Sequence, residues 1–275
     1  MQDSAKNKLA IIAGKGDLPK IIVKKCQEQG RDFFIILIKD ESSNVDFLQY
    51  DHIIIDFGEI SKIINILKSN KIKELVFAGG VTKPSMFGIK VDKKGAILVS
   101  KILGNKFFGD NTLLSTIINF FEKEGFSIVG ADKIIDDLLA NKGLLGSIKP
   151  SEAMFEDIKI GKNALKVMSD LDIGQSIVVQ QKQIVGVEAF EGTDNLIKRC
   201  QNLQFEKGNK MILVKIKKQN QSTKIDLPAL GVETINNLAN CGFAGVAVQA
   251  NYCLIINYKE VIKLANKLEL FVIGI

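Results

Sequence analysis

The chain has 275 residues, of which 46% are hydrophobic and 25% charged, with a formal net charge of +6. This is the composition of a globular protein able to bury one large or two medium cores, and it excludes a disordered or fibrous chain. Only Arg31 and Arg199 among the 37 basic residues are arginines, so bidentate base reading is poorly supplied and nucleic acid is not an expected partner.

In chain order, "KLAIIAG" (8–14) reads as a buried parallel strand ending in glycine. "DLPKIIVKKCQEQG" (17–30) reads as a helix with Asp17 as N-cap, Pro19 in the first turn and Gly30 as its stop. Strands follow at "DFFIILI" (32–38) and "HIIIDF" (52–57), a helix at "EISKIINILKSN" (59–70), and a fourth strand at "ELVFAGG" (74–80). An amphipathic helix at "NTLLSTIINFFEKEG" (111–125), a strand at "FSIVG" and a closing helix at "ADKIIDDLLA" complete a doubly wound α/β pattern. A Gly-, Ser- and Pro-rich break at 141–152 separates residues 1–145 from a second domain, 150–275. That domain opens with a helix over 152–169. It continues with the strand pair "QSIVVQ" and "QIVGVEAF", the helix "DNLIKRCQNL", the strand "KMILVKIKK" and the helix "ETINNLANCG". The strands "AGVAVQ" and "YCLIIN", the helix "KEVIKLANKLE" and the strand "LFVIGI" follow. The expected fold class is α/β, a Rossmann-like parallel-sheet domain followed by a distinct mixed α/β domain.

The single histidine, His52, and four scattered cysteines exclude a Cys/His zinc site. Catalysis would therefore use carboxylates, lysines, hydroxyls, backbone dipoles and a bound metal. No run reaches the roughly 18 apolar residues that span a bilayer. No secretory leader is visible, and a cytoplasmic location is expected.

Several segments carry candidate chemistry. In "GKGDLP", Gly14 and Gly16 allow close approach of an anion to the backbone, and Asp17 begins a helix whose N-terminus is positively polarised. "AGGVTKPS" places Gly79, Gly80, Thr82 and Lys83 at the carboxyl end of another strand, where such sheets bind ligands. "VEAFEGTDNL" gathers Glu188, Glu191 and Asp194 around Gly192 and Thr193. The acids are either solvated and capping residues or oxygen ligands for a hard cation. Glu188 follows an apolar strand, where a lone carboxylate costs several kcal/mol unless partnered. Lys215 also lies among apolar neighbours, and Asp226 stands directly before Pro228 in "KIDLPALG". Phe107 and Phe108, next to lysines, fit either a core or a path for acyl chains.

Eight segments in one order, "IIAGKGDLP", "AGGVTKPS", "GDNTLL", "GLLGSIKPSE", "DIGQSIVVQ", "VEAFEGTDNLI", "VKIKK" and "IDLPALGVET", resemble the LpxI-type UDP-2,3-diacylglucosamine pyrophosphatase family. The resemblance implies a hydrolase of lipid A biosynthesis that splits the substrate's pyrophosphate into UMP and 2,3-diacylglucosamine 1-phosphate between two domains. It implies Mg²⁺, with Mn²⁺ as the alternative, a lipid-linked UDP-sugar partner, a homodimer, and transient contact with the cytoplasmic face of the inner membrane. The "DLPALG" match makes Asp226 the essential carboxylate. The "EAFEGTD" match brings Glu188, Glu191, Gly192, Thr193 and Asp194 into the site, with Glu188, Glu191, Asp194 and Asp226 as metal ligands. Lys215 would neutralise phosphoryl charge. The chain departs from the family pattern with "GKG" in place of "GGG" and with Lys83 in place of an arginine. An NAD(P)-linked oxidoreductase, with Asp40 and Glu41 toward the ribose, and a non-catalytic nucleotide-sugar or lipid binder are the competing readings.

Overall fold

A computed structural model describes residues 7–41, 44–81, 90–104, 110–135, 138–171, 173–205, 207–219, 224 and 227–275. The chain falls into two compact units. In the first, β1 (Leu9–Ala13), α1 (Leu18–Glu28), β2 (Phe33–Ile38), β3 (His52–Ile55), α2 (Ile60–Ser69), β4 (Glu74–Ala78), α3 (Lys93–Leu103), α4 (Asp110–Lys123) and β5 (Ser127–Ile128) follow one another. The five strands form one parallel sheet in the order β3-β2-β1-β4-β5. Every residue of β1 is buried, which is why this strand reads as a continuous apolar run and not as an alternation. Helix α2 turns Ile60, Ile63, Ile64 and Leu67 toward the core, at helical spacing. Strand order reverses at β1, with β2 on one side and β4 on the other. The loops leaving β1 and β4 therefore flank a topological switch point.

Asp17 is the N-cap of α1, as expected, without a capping hydrogen bond from its side chain. Two other points in this unit depart from expectation. The closing helix expected over 131–140 is reduced to a 3₁₀ turn at Ala131–Lys133. Helix α3 was not expected. It starts at Asp92, whose carboxylate accepts the Gly95 N–H at 2.8 Å.

The second unit contains β6 (Gly143–Leu144), α5 (Glu152–Ser169), β7 (Ser176–Gln180), β8 (Gln183–Val187), α6 (Thr193–Cys200), β9 (Ile212–Lys215) and β10 (Ala229–Leu230). These are followed by α7 (Val232–Asn240), β11 (Gly245–Val248), β12 (Leu254–Ile255), α8 (Tyr258–Lys267) and β13 (Phe271–Gly274). Its main sheet has the order β6-β13-β11-β9-β7-β8. The three central strands β13, β11 and β9 are parallel, while β6, β7 and β8 each run antiparallel to a neighbour. The strand expected over 252–257 shortens to β12, which pairs with β10 in a separate two-stranded sheet.

Alternation along the strands assigns the two faces. Ile177, Val179, Ile212, Val214 and Phe271 pack with Ile158 and Leu165 of α5. Val178, Leu213, Val246 and Val272 pack with Leu196 and Ile197 of α6, Ile235 and Leu238 of α7, and Val261 of α8. Gly161 lets α5 approach closely, since a Cβ there would stand 2.8 Å from Val214 Cγ2. A period of two places Ser176 and Lys215 on the α6 face, and the register pairs them directly across β7 and β9.

Candidate functional site

In the first unit, the loop after β1 and the loop after β4 are joined at the switch point. Gly14 N–H donates to the Ala78 carbonyl at 2.8 Å, Lys15 N–H to the Gly80 carbonyl at 2.7 Å, and Gly80 N–H returns to the Lys15 carbonyl at 3.0 Å. The glycines divide into two kinds. A Cβ on Gly14 or Gly79 would lie 2.3 Å from a carbonyl oxygen of the opposite loop, whereas Gly16 and Gly80 have nothing within 4 Å of that position. Gly14 and Gly79 thus permit loop-to-loop packing, and Gly16 and Gly80 are the two with open space beside them. Gly16 also needs its φ of +91°, which a side chain would strain. Lys15 Nζ pairs with Glu41 at 3.2 Å, so one of the acids expected near a ribose already faces a lysine.

In the second unit, a buried polar cluster interrupts the α6 face. Glu188, Thr193, Lys215 and Ser176 are 6%, 9%, 5% and 0% exposed. Lys215 Nζ donates to Thr193 Oγ1 at 2.7 Å, Thr193 Oγ1 donates to Glu188 Oε2 at 3.0 Å, and Ser176 Oγ lies 3.1 Å from Thr193 Oγ1. Each group arrives from a different element. Lys215 ends β9, Ser176 begins β7, and Glu188 follows β8 with its N–H bonded to the Ser176 carbonyl at 2.9 Å. Thr193 is the first residue of α6, and Gly192, at φ +79°, is the N-cap that turns the chain into it. Thr193 and Asp194 therefore stand inside the helix and do not cap it. Burial pushes the neighbouring Cys253 thiol up to about 12, against the opposing pull of the Lys215 charge, so that thiol is not a nucleophile.

The other two acids of this segment have separate partners. Glu191 accepts from Arg199 Nη2 at 2.7 Å and from the Ala189 N–H at 3.2 Å, and Arg199 also donates to the Val187 carbonyl at 3.0 Å. The Arg199 guanidinium holds the Glu191 carboxyl below the usual carboxylate range. Asp194 accepts from Asn237 Nδ2 at 3.1 Å. Among the described residues, no three of His, Cys, Asp or Glu are grouped to hold a metal ion. The carboxylates of Glu188, Glu191 and Asp194 therefore do not by themselves fit a shared divalent cation.

Lys215, Glu188 and Thr193 are brought together, and Gly14, Gly16, Gly79 and Gly80 share one sheet edge. Thr82, Lys83, Phe107, Phe108 and Asp226 lie outside the described residues. Ser176 belongs to the cluster although no sequence signal singled it out. A small hydroxyl in "GQSIVVQ" is unremarkable until the β7–β9 register sets it opposite Lys215.

A Rossmann-like parallel sheet with joined glycine loops, followed by a mixed α/β unit with a buried Lys–Thr–Glu–Ser cluster, defines a two-domain α/β protein. Family models described as the LpxI N-terminal domain and the LpxI C-terminal domain match residues 8–138 and 141–273. The chain belongs to the LpxI family. It is 32% identical over 273 residues to the UDP-2,3-diacylglucosamine pyrophosphatase LpxI of Caulobacter vibrioides, a match covering 98% of this chain and 97% of that protein.

Proposed function

We propose that the protein hydrolyses the pyrophosphate bond of UDP-2,3-diacylglucosamine to UMP and 2,3-diacylglucosamine 1-phosphate. The observation that carries this reading is the end-to-end match to the Caulobacter pyrophosphatase. The buried Lys215 of the second unit supports it. Water adds to one phosphorus, the bridging P–O bond breaks, and negative charge grows on phosphoryl oxygens. An ammonium group held away from bulk water stabilises such charge more than an exposed one does. Gly14, Gly16, Asp17, Gly79 and Gly80 are our candidates for the nucleotide and its phosphates, with the backbone of Gly192 and Thr193 and the ammonium of Lys215 for the phosphoryl group.

Dependence on Mg²⁺, or on Mn²⁺ in its place, belongs to this proposal, with Asp226 as the leading carboxylate. The ion would supply Lewis-acid stabilisation of the phosphoryl oxygens, and no role given to Lys215, Thr193 or Glu188 passes through it. Among the described residues no helix is long and apolar enough to cross a membrane. Work at the cytoplasmic face of the inner membrane and assembly as a homodimer are further parts of the proposal.

Purified protein is incubated with UDP-2,3-diacylglucosamine under three conditions, with Mg²⁺, with Mn²⁺ and with chelator, and products are separated by chromatography. Equimolar UMP and lipid monophosphate are expected, and Asp226→Ala is expected to bind substrate but lose most turnover. Absence of UMP under all three conditions overturns the reading. Undiminished UMP in chelator removes only its metal part. Light scattering on the purified chain tests the dimer.

A further inference from the structure

The polar cluster of the second unit obeys a strict proton count. A threonine hydroxyl has one hydrogen to donate and two lone pairs to accept with. Thr193 gives its hydrogen to Glu188 Oε2 and accepts from Lys215 Nζ. Ser176 Oγ lies 3.1 Å from the same oxygen, and since the threonine hydrogen is committed, Ser176 is the donor in that contact. Thr193 Oγ1 is then saturated. It holds one N–H of the Lys215 ammonium and leaves two for a ligand.

The framework around this oxygen is equally fixed. Ser176 and Lys215 are paired in the β7–β9 ladder. Glu188 is tied by its N–H to Ser176, and Gly174, at φ +50°, runs so close that a Cβ there would stand 2.0 Å from the Glu188 carbonyl oxygen. Four elements thus converge on a single hydroxyl, and the orientation of a buried cation follows from it.

We propose that Ser176 and Thr193 are positioning residues that aim the Lys215 ammonium, so that its two remaining N–H bonds meet phosphoryl oxygens of the diphosphate substrate. Thr193 accepts the third N–H, and Ser176 keeps the threonine hydroxyl from rotating away. This rests on the reading above that Lys215 serves the phosphoryl group.

The test compares Thr193→Val, Thr193→Ser, Ser176→Ala and Lys215→Met in the full chain, measuring kcat, KM and the melting temperature. Thr193→Val is expected to lower kcat about tenfold to a hundredfold, the range one lost charge-assisted hydrogen bond supports, while KM changes less than about threefold because the distant substrate contacts persist. Thr193→Ser restores kcat to within about threefold, and Ser176→Ala lowers it by about threefold to tenfold. A merely structural role would lower the melting temperature without this split between kcat and KM and without the serine rescue. If Thr193→Val does not fold, Ser176→Ala at an unchanged melting temperature decides, and normal kcat in it overturns the proposal. Normal kcat in Thr193→Val overturns it as well. Normal kcat in Lys215→Met removes the role of Lys215 itself, and the proposal with it. A loss in Lys215→Met together with normal kcat in Thr193→Val and Ser176→Ala overturns the positioning proposal alone.

Discussion

Gly14 and Gly80 meet at the switch point of the first unit so closely that a Cβ on Gly14 would stand 2.3 Å from the Gly80 carbonyl oxygen. The contact is backbone against backbone, so no side chain can yield. Gly14→Ala is expected to cost about 2–3 kcal/mol, the upper range for overpacking. Gly80→Ala meets nothing within 4 Å and its φ is not positive, so its stability should stay within about 0.5 kcal/mol of the parent. Denaturant melts of both variants check the contrast. A loss of turnover in Gly80→Ala at unchanged stability would mark Gly80 as a residue that approaches the substrate.

The carboxylate of Asp157, fully buried on α5, accepts the N–H of Lys182 at 2.6 Å and of Gln181 at 3.1 Å. Those two residues form the β7–β8 turn, with φ of 65° and 49°, the left-handed pair that a two-residue hairpin requires. Neither is glycine, so the turn depends on help from outside itself. Asp157→Ala removes two charge-assisted hydrogen bonds and should destabilise by about 2–4 kcal/mol. Lys182→Gly, which relieves a left-handed side chain, should offset roughly 1 kcal/mol of that loss. Thermal melts of the single and double variants give both numbers.

The strand–helix alternation of the first unit was legible because both faces of its parallel strands are covered, which leaves short apolar runs between helical periods. The helix expected over 131–140 was lost to long-range pairing. Leu139 bridges Leu254, and Ala140 exchanges hydrogen bonds with Cys253 and Asn251. Such contacts override local propensity. Helix α3 was hidden by Gly95 in its first turn, a glycine kept because a Cβ there would stand 2.4 Å from the Gly58 carbonyl oxygen. In the second unit, Glu188 and Lys215 announced themselves as charges in apolar runs. Their link through Thr193, and the place of Ser176 opposite Lys215, depend on strand register, which one sequence does not encode locally.

Asp92 joins the starts of two helices. Its carboxylate accepts the Ser61 N–H at 2.6 Å, the Ser61 hydroxyl at 2.8 Å and the Gly95 N–H at 2.8 Å. Burial pushes its carboxyl up, but the hydrogen bonds from Gly95, Ser61 and Lys62 outweigh that and hold it below its ordinary value. A carboxyl depressed in the folded state stabilises fully above its unfolded pKa and loses that contribution as pH falls through the folded one. The contribution should be complete above about pH 5 and fade from about pH 4 downward. Asp92→Asn should cost about 1–2 kcal/mol at pH 7, because both carboxylate oxygens accept and the amide nitrogen that replaces one of them cannot, and it should flatten the acid side of the stability curve. Melting temperatures between pH 3 and pH 7 for both proteins test this, and parallel curves would contradict it.

Glu191 and Arg199 form a clamp over the segment that carries Glu188, because the same guanidinium nitrogen bonds both Glu191 and the Val187 carbonyl. A carboxylate engaged in this way competes poorly for a cation, since metal binding would require the arginine to release it. Glu191→Gln keeps an acceptor for Arg199 and removes the charge. It should change stability by at most about 1 kcal/mol, as expected for a partly exposed pair. If Mg²⁺ is required, the concentration giving half-maximal turnover should stay within about twofold of the parent. Loss of a true ligand, or of a residue that orients one, shifts metal affinity by about tenfold to a hundredfold. Arg199→Lys should be the more disruptive change, because the flexible, more strongly hydrated ammonium lacks the fixed planar geometry that directs both N–H bonds of one guanidinium nitrogen to the carboxylate and the Val187 carbonyl. Its predicted signature is a lower kcat with an unchanged Mg²⁺ midpoint, since loosening the clamp frees the backbone that carries Glu188, the acceptor of the Thr193 hydroxyl. A Mg²⁺ titration of both variants, read against the parent, separates a clamp from a ligand: a midpoint raised tenfold in Glu191→Gln would return Glu191 to the metal.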